Sequence, residues 1–387
     1  MNTLLICVFV SMVGLGIISP LLPLIAESLD ATGFYLGLIF SAFSLSRMLL
    51  MPVIGRLSDK KGRKKFIVTG LLLYSLVSLG YVSAKDIFSL LIVRFIHGIA
   101  SAMVLPIAMA YIGDLSEKGK EGEAMGKFNA ALFLGMSIGP LLGGVISGSF
   151  GMSAPFYCMS VLSFVAVFMC FLFLSDYIRD NNNDKPKHNS KGFISLLSSN
   201  KLLRDIILYR FILALGRGGI MAFLPILASQ VKLSLSQIGL LVSFTVLLSS
   251  LLQIPLGKLS DKSRSRWGFV IVGGIISSLG FLFLPFAKDF FEFLIISFII
   301  GLGGSISMPA LSALITEIGR EIGMGNVSGL FNSVMSLGMI ISSVICGMIM
   351  DAFGIAPVFY FNAITTIIGT AYVWFSEIFR RRGEKFS

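Results

Sequence analysis

The sequence predicts an all-α integral membrane protein of twelve transmembrane helices, arranged as two parallel repeats of six. Three observations predict this fold class: the composition, a series of long apolar runs, and an internal repeat. Of the 387 residues, 55% are apolar and 13% are charged, whereas soluble domains carry about 25% charged residues. The composition therefore excludes an ordinary soluble domain and indicates a chain that lies mostly in lipid.

The apolar runs set the number of helices. A helix that crosses the hydrocarbon core needs about 20 mainly apolar residues. Twelve runs meet this requirement, at about 3–26, 34–54, 66–84, 87–112, 126–148, 153–175, 204–229, 235–256, 267–286, 290–313, 325–350 and 354–376. An even number of crossings places both termini on the same side of the membrane.

The two halves of the chain repeat each other at offsets of 202 and 203 residues. Matched pairs include Gly16 with Gly218, Gly37 with Gly239, Pro106 with Pro309, Asn129 with Asn332 and Gly144 with Gly347. Parallel six-helix repeats form transporters that open alternately to the two sides of a central site. We predict an N-terminal half at 1–175, a cytoplasmic linker at 176–201, a C-terminal half at 202–378 and a basic cytoplasmic tail at 379–387.

Positive charge lies mainly between the apolar runs and on one side of the predicted membrane. We assign 24 of the 31 Lys and Arg residues to loops and tails on that side, and three to the other side. By the positive-inside rule the richer side, with both termini, is cytoplasmic, which indicates a cell-membrane protein. The net charge of +11 therefore reflects orientation, and it does not predict binding to nucleic acid.

Nothing in the apolar runs indicates an enzyme. The four cysteines form no C-x-x-C pair, so neither a disulfide framework nor a zinc site is predicted. The runs contain no metal-ligand cluster, no nucleophile–base pair and no paired carboxylates. We expect no cofactor and no metal.

The most charged stretch is Gly55–Lys65, which reads GRLSDKKGRKK and carries six Lys or Arg residues. It reads as a short loop in which Gly55 and Gly62 supply backbone freedom for a tight reversal. Asp59 is its lone carboxylate and should have a defined partner. The stretch recurs as Gly257–Lys262, GKLSDK, with Asp261 at the position of Asp59.

This stretch resembles the signature loop between helices 2 and 3 of the major facilitator superfamily, G-x-L-(S/A)-D-(R/K)-x-G-R-(R/K). The matching positions are Gly55, Leu57, Ser58, Asp59, Lys60, Gly62, Arg63 and Lys64. A basic loop that flanks a membrane helix by chance is the alternative. The resemblance implies the twelve-helix facilitator fold and a conformational switch at this loop. It also implies that Asp59 joins a charge network with an acid at the end of helix 4, here Asp114, whose repeat partner is Glu317; a solvated helix-end carboxylate is the alternative.

The fourth run carries Arg94 and His97, which are three residues apart and so share a helix face. A charge at mid-membrane costs about 2.5–3.5 kcal/mol on the insertion scale, so it normally faces the bundle interior or a water-filled cavity. The run resembles the fourth-helix motif of the same superfamily, whose Arg is assigned to proton coupling. His97 stands where that motif usually has Gln, and histidine can titrate near neutral pH. Hydrogen bonding without a proton role for His97, and pairing with a helix end for Arg94, are the alternatives.

The fifth run contains Gly135, Gly139, Pro140, Gly143 and Gly144. Glycines four apart form a smooth stripe that a second helix can approach closely, and Pro140 favours a kink. The run resembles the antiporter motif g-x-x-x-G-P-x-x-G-G of superfamily exporters. Its repeat has Ser342 and Ser343 at the Gly-Pro step, so the motif belongs to the first half. A packing stripe without directional meaning is the alternative.

Candidate groups for proton coupling are few, because no carboxylate lies deep in a run. Arg94 and His97 are candidates, together with Glu27 and Asp30 at the outer end of helix 1. Proton coupling is thus implied by the resemblance alone.

The substrate cavity should be lined by Arg94, Arg217, Asn129 and Asn332. Arg217 lies near the middle of the seventh run, among glycines, about 16 Å from either end at 1.5 Å per residue. With Arg94 it would favour anionic or neutral amphiphiles over cations. The alternative is that Arg217 bonds to backbone carbonyls or polar side chains between the halves.

Taken together, the residues and the resemblance to twelve-helix drug:proton antiporters predict a secondary active transporter. We expect a monomeric, multi-pass exporter of small amphipathic compounds with efflux and drug-resistance activity, driven by protons. An importer or symporter of a small metabolite is the main alternative, and a non-transporting membrane sensor is a third.

Overall fold

The computed structural model describes residues 1–116, 121–175, 200–263, 265–322 and 324–383. Within these ranges every regular element is a helix. The helices are α1 (Asn2–Ser28), α2 (Gly33–Lys61), α3 (Arg63–Ser83), α4 (Ile87–Leu115), α5 (Glu121–Phe150), α6 (Ala154–Phe173), α7 (Lys201–Arg217), α8 (Ile220–Gln230), α9 (Leu235–Lys262), α10 (Arg266–Phe283), α11 (Phe290–Ile322), α12 (Met324–Phe353) and α13 (Ala356–Gly383), with a 3₁₀ turn at Leu284–Phe286.

Within the described residues, twelve helical stretches are long and apolar enough to cross a membrane, which confirms the predicted fold class. The seventh of them, Lys201–Gln230, contains both α7 and α8. Large apolar side chains such as Phe168, Phe171 and Phe173 of α6 are more than half exposed. Such a surface fits a lipid environment, because lipid tails cover apolar side chains as well as a protein core does.

The helices form two compact units. The first contains the described parts of Met1–Lys185 together with Leu224–Leu247, and the second contains those of Pro186–Phe223 and Leu248–Ser387. The chain therefore passes between the units within α8 and again within α9. The predicted domain boundaries stay a prediction, since nearly all of the linker at 176–201 lies outside the described residues. Residues 379–383 of the predicted tail continue α13, and 384–387 are not described.

The reversal after α2 is tighter than the sequence predicted. Gly55–Lys61 is not a loop: it forms the last turns of α2, and α3 begins at Arg63. Gly62 alone separates them, with φ of 92°, a backbone conformation that glycine adopts without steric cost. The expectation that Gly55 supplies backbone freedom is therefore wrong. Its repeat, Gly257–Lys262, likewise lies within α9.

The seventh crossing is broken near its middle. Helix α7 ends at Arg217, and α8 begins at Ile220 after Gly218 and Gly219. The amide of Ala222 donates to the carbonyl oxygen of Gly219 at 3.1 Å, so the regular i→i−4 pattern is not continuous there. Non-helical backbone at membrane depth occurs where other protein groups satisfy it. The apolar run at 204–229 predicts one continuous helix, so the break corrects that prediction.

Candidate functional site

A buried arginine joins three helix ends of the first unit. Arg63, the first residue of α3, pairs with Asp59 of α2 at 3.0 Å and with Asp114 of α4 at 2.7 Å. The Arg63 side chain is 4% exposed, whereas Asp59 is 47% exposed and Asp114 17%. Asp59 thus has the defined partner that its isolation among cations indicated. Lys60 of the same motif is exposed. The switching role of this network stays a prediction.

The second unit repeats the network with different exposure. Arg266, the first residue of α10, pairs with Asp261 of α9 at 3.3 Å and also with Glu317 of α11. Here the arginine is 24% exposed and the two carboxylates are 64% and 56% exposed. The network borders an open pocket of about 440 Å³ that Trp267 and Glu377 also line. Arg266 was not among the predicted site residues, although it stands 203 residues after Arg63.

Arg94 and His97 lie together in an aromatic enclosure of the first unit. Arg94 is 5% exposed and His97 is fully buried. The Tyr81 hydroxyl lies 2.9 Å from His97 Nδ1 and accepts from Arg94 at 3.4 Å. The Arg94 guanidinium stacks over the ring of Phe43, with 4.5 Å from Cζ to the ring centroid. Rings and a phenol therefore surround this cation, and no carboxylate pairs with it in the part of the chain that the structure describes.

The other two proton-coupling candidates lie elsewhere. Glu27 is an exposed residue near the end of α1. Asp30 is exposed in the turn after α1, with φ of 56°. Neither shares the enclosure of Arg94 and His97.

The glycine stripe of α5 is a backbone-to-backbone contact. A methyl group added to Gly139 would lie 2.7 Å from the Cα atom of Gly16, and one added to Gly143 would lie 2.8 Å from the carbonyl oxygen of Ile17. At Gly135 it would lie 2.6 Å from the Cβ atom of Met12. The predicted close approach of a second helix is confirmed, and that helix is α1.

The last glycine of the motif contacts a different helix. A methyl group on Gly144 would lie 3.0 Å from the Cα atom of Gly239, in the part of α9 that belongs to the first unit. The Ser236 hydroxyl donates to the carbonyl oxygen of Gly144 at 3.3 Å, and the Ser243 hydroxyl donates to that of Ser137. The motif thus touches two helices at once.

The predicted cavity residues fall in different surroundings. Asn129 and Asn332 are exposed on α5 and α12. Arg217, at the end of α7, donates to the Ser277 hydroxyl at 2.9 Å. A methyl group on Gly304 would lie 2.9 Å from its guanidinium, so that glycine makes room for it. Arg217 therefore bonds to a polar side chain inside the second unit.

Asp205 and Arg210, which were not among the predicted site residues, are buried in the second unit. Asp205 of α7 is 7% exposed and accepts from the hydroxyls of Tyr372 at 2.7 Å and Ser376 at 2.5 Å. Arg210 of α7 is also 7% exposed. The sequence carried one signal for Arg210: it lies seven residues before Arg217, and residues seven apart lie on the same face of a helix.

Comparison with known proteins agrees with this architecture. The sequence model of the Major Facilitator Superfamily matches this chain twice, at residues 4–209 and at residues 206–385. An uncharacterised MFS-type transporter of Methanocaldococcus jannaschii is 35% identical over 367 residues, covering 94% of each chain. The quinolone resistance protein NorA of Staphylococcus aureus is 27% identical, covering 91% of this chain and 90% of that protein.

Solved structures show the same fold at low sequence identity. A bacterial homologue of the human lysosomal transporter Spinster, inward-facing and unoccupied, has a TM-score of 0.85 at 15% identity and covers 97% of this chain and 95% of that one. The nucleoside transporter NupG has a TM-score of 0.81 at 14% identity, covering 96% and 98%. With the repeated charge networks, the glycine stripe and two matches that together span nearly all of the sequence, the chain belongs to the Major Facilitator Superfamily, a family of membrane transporters rather than enzymes.

Proposed function

We propose that this transporter exports small amphipathic compounds from the cytoplasm in exchange for protons, by alternating access. The observation that carries the proposal is the α5 motif, whose glycines place its backbone against α1 and against Gly239 of α9. A helix held this way can shift only as a unit with its neighbours, since no side chain is present to give way. Similarity to NorA and to Multidrug resistance protein 2 of Bacillus subtilis, at 27% and 26% identity, supports efflux.

The proposal includes an orientation and a location. We place the protein in the cell membrane as a monomer, with both termini and the Asp59–Arg63–Asp114 network on the cytoplasmic side. The positive-inside rule supports this choice, because the basic end of α2 carries the network.

For proton coupling we favour Arg94 and His97 over Glu27 and Asp30. The first two are buried and share the Tyr81 hydroxyl, whereas both carboxylates are exposed. A fixed guanidinium charge beside an imidazole makes proton binding to that imidazole sensitive to any movement between them. Asp205 is a further candidate, because it is buried and held by two hydroxyls.

Transport in inverted membrane vesicles tests the direction. Vesicles from cells that make the protein would be energised to acidify the lumen, and a labelled amphipathic dye would be followed. Export predicts dye accumulation in the lumen that stops when a K⁺/H⁺ exchanger collapses the pH gradient. Dye or metabolite leaving the lumen would favour the importer, and no movement in either direction would favour the sensor.

Variants separate the coupling groups. We expect His97→Gln to keep dye binding but to lose the dye accumulation that the pH gradient drives. Asp205→Asn in the same vesicles provides the comparison. A full pH response in His97→Gln, lost in Asp205→Asn, would move the coupling site to Asp205.

A further inference from the structure

Within the part of the chain that the structure describes, the Arg210 guanidinium donates to sulfur atoms and to no oxygen acceptor. Its Nη1 atom donates to the sulfur of Met308 on α11 at 3.1 Å, and its Nη2 atom contacts the sulfur of Met335 on α12. The Phe331 ring of α12 covers the group, with 4.4 Å from Cζ to the ring centroid. Thioether sulfur is a weak acceptor, so these contacts satisfy the cation poorly.

The remaining nitrogen of this guanidinium, Nε, has no hydrogen-bond partner among the described residues. The atom is buried, and Arg210 itself is 7% exposed. Among the residues that the structure describes, no carboxylate pairs with it. A buried cation without an anionic partner is costly, and inside a membrane protein it marks a functional site by default.

We propose that Arg210 binds the anionic head of an amphipathic ligand, between Met308, Met335 and Phe331. This inference rests on the proposed function in taking that ligand to be the transported substrate. A carboxylate or sulfonate would supply the strong acceptor oxygens that sulfur does not, and Arg can bind such a group through two parallel N–H bonds.

The neighbours of Arg210 suit the apolar part of such a ligand. Met308 and Met335 are half-buried, and methionine side chains repack readily around irregular apolar shapes. Asn332 is exposed one turn before Met335 on α12, and the side-chain amide of asparagine is a hydrogen-bond donor. The proposed site therefore combines one buried arginine with adaptable apolar side chains around it.

Arg217, a further arginine of α7, already has a hydrogen-bond acceptor. Arg217 lies seven residues away, about 10 Å along the helix axis, and donates to Ser277. Its charge adds to the positive potential around Arg210. The anion preference that the sequence suggested for Arg217 and Arg94 is thus assigned to Arg210.

Binding of two matched probes to the purified protein in uncharged detergent tests this site. The probes are a dansyl-labelled alkyl carboxylate and a dansyl-labelled alkyl amine of equal chain length. We expect the parent protein to bind the carboxylate at least about tenfold more tightly, the size of effect that a hydrogen bond to a charged group supports. Equal affinities, or tighter binding of the amine, would overturn the proposal.

Three variants show where the preference arises. Arg210→Gln should remove it, while Arg204→Gln, an exposed arginine on the same helix, should keep it. Met335→Leu removes a sulfur acceptor at similar volume, and we expect carboxylate binding to be equal or tighter. If Arg210→Gln does not fold, weaker carboxylate binding by Met335→Leu alone would contradict the site.

Transport assays separate this proposal from the exporter proposal. Efflux of the amine with no preference for the carboxylate in binding would refute the Arg210 site alone. Carboxylate binding that depends on Arg210, with no efflux of either probe, would refute export and leave the binding site standing.

Discussion

The two units carry the same repeat, but they pack their first helices differently. In the first unit α1 is one helix and lies against Gly135, Gly139 and Gly143 of α5. In the second unit the corresponding positions of α12 are Gly338, Ser342 and Cys346. The opposing helix there is broken between Arg217 and Ile220.

The serines explain how the break is tolerated. Ser342 donates to the carbonyl oxygen of Leu215 at 2.6 Å, and Ser343 donates to that of Gly218 at 3.4 Å. Carbonyl groups at a helix end need partners outside the helix. In the first unit, glycine at position 139 lets the continuous helix α1 pack closely against α5. In the second unit, the serine hydroxyls at 342 and 343 bond to the carbonyl groups that the interruption leaves without helical partners.

The charge networks of the two units also differ, in how far their side chains are exposed to solvent. The arginine is nearly inaccessible in the Asp59–Arg63–Asp114 network and partly open in the Asp261–Arg266–Glu317 network. Exposed ion pairs contribute about 0–1 kcal/mol, whereas removing one partner of a buried pair costs about 3–5 kcal/mol. From this difference we propose that the Asp59–Arg63–Asp114 network of the first unit acts as the conformational switch and that the second unit recognises the ligand.

The largest effect should follow from filling the glycine stripe. We expect Gly139→Leu to abolish export, because even its Cβ atom would overlap the Gly16 backbone and dense interiors cannot absorb such a group. Dye efflux at matched expression is the measurement. Gly126→Leu on the same helix is the control, since a methyl group there meets nothing within 4 Å. Normal efflux by Gly139→Leu would show that the close approach is unnecessary.

A smaller difference should separate the acids of the two networks. Asp114→Asn should lower the free energy of unfolding by about 2 kcal/mol, because Asp59 is then the ionic partner that Arg63 retains among the described residues. Glu317→Gln should lower it by less than about 1 kcal/mol, because that carboxylate is exposed. Thermal unfolding in detergent measures both. Equal losses would mean that burial does not distinguish the networks.

The smallest effect concerns the break in the seventh crossing. We expect Ser342→Ala to cost about 1 kcal/mol by removing one hydrogen bond, and to speed hydrogen exchange of the amides from Gly218 to Ala222. Ser336→Ala is the matched control, because its hydroxyl bonds within its own helix, to the carbonyl oxygen of Asn332. Unchanged exchange in Ser342→Ala would show that the serine does not stabilise the break.

The fold could be predicted from the sequence because lipid requires long apolar helices, and these are visible as runs. The ends of the helices were harder to predict from the sequence. Charged residues at Gly55–Lys61 signal the end of the apolar span but do not end the helix, and only the φ of Gly62 does so. The break after Arg217 was also not predicted, because glycines in an apolar run can indicate either close helix packing or an interruption of the helix.

The charge partners could be predicted in part. The motif resemblance pointed to Asp59 and Asp114, and the repeat pointed to Asp261 and Glu317, while Arg266 was overlooked in a stretch with several cations. Arg210 and Asp205 were missed for another reason. Their burial depends on which faces of α11, α12 and α13 pack against α7, and spans that are apolar on all sides carry no signal for that rotation.

One measurement tests most directly the claim that the first unit holds the switch. Asp59→Asn and Asp261→Asn are equivalent changes in the two repeats, and their export rates can be compared in vesicles at equal protein density. We predict that Asp59→Asn lowers the rate at least about tenfold while remaining inserted, because it unbalances the buried Arg63. Asp261→Asn should stay within about twofold of the parent, since its pair is exposed. Equal loss in both variants, or a larger loss in Asp261→Asn, would contradict the account.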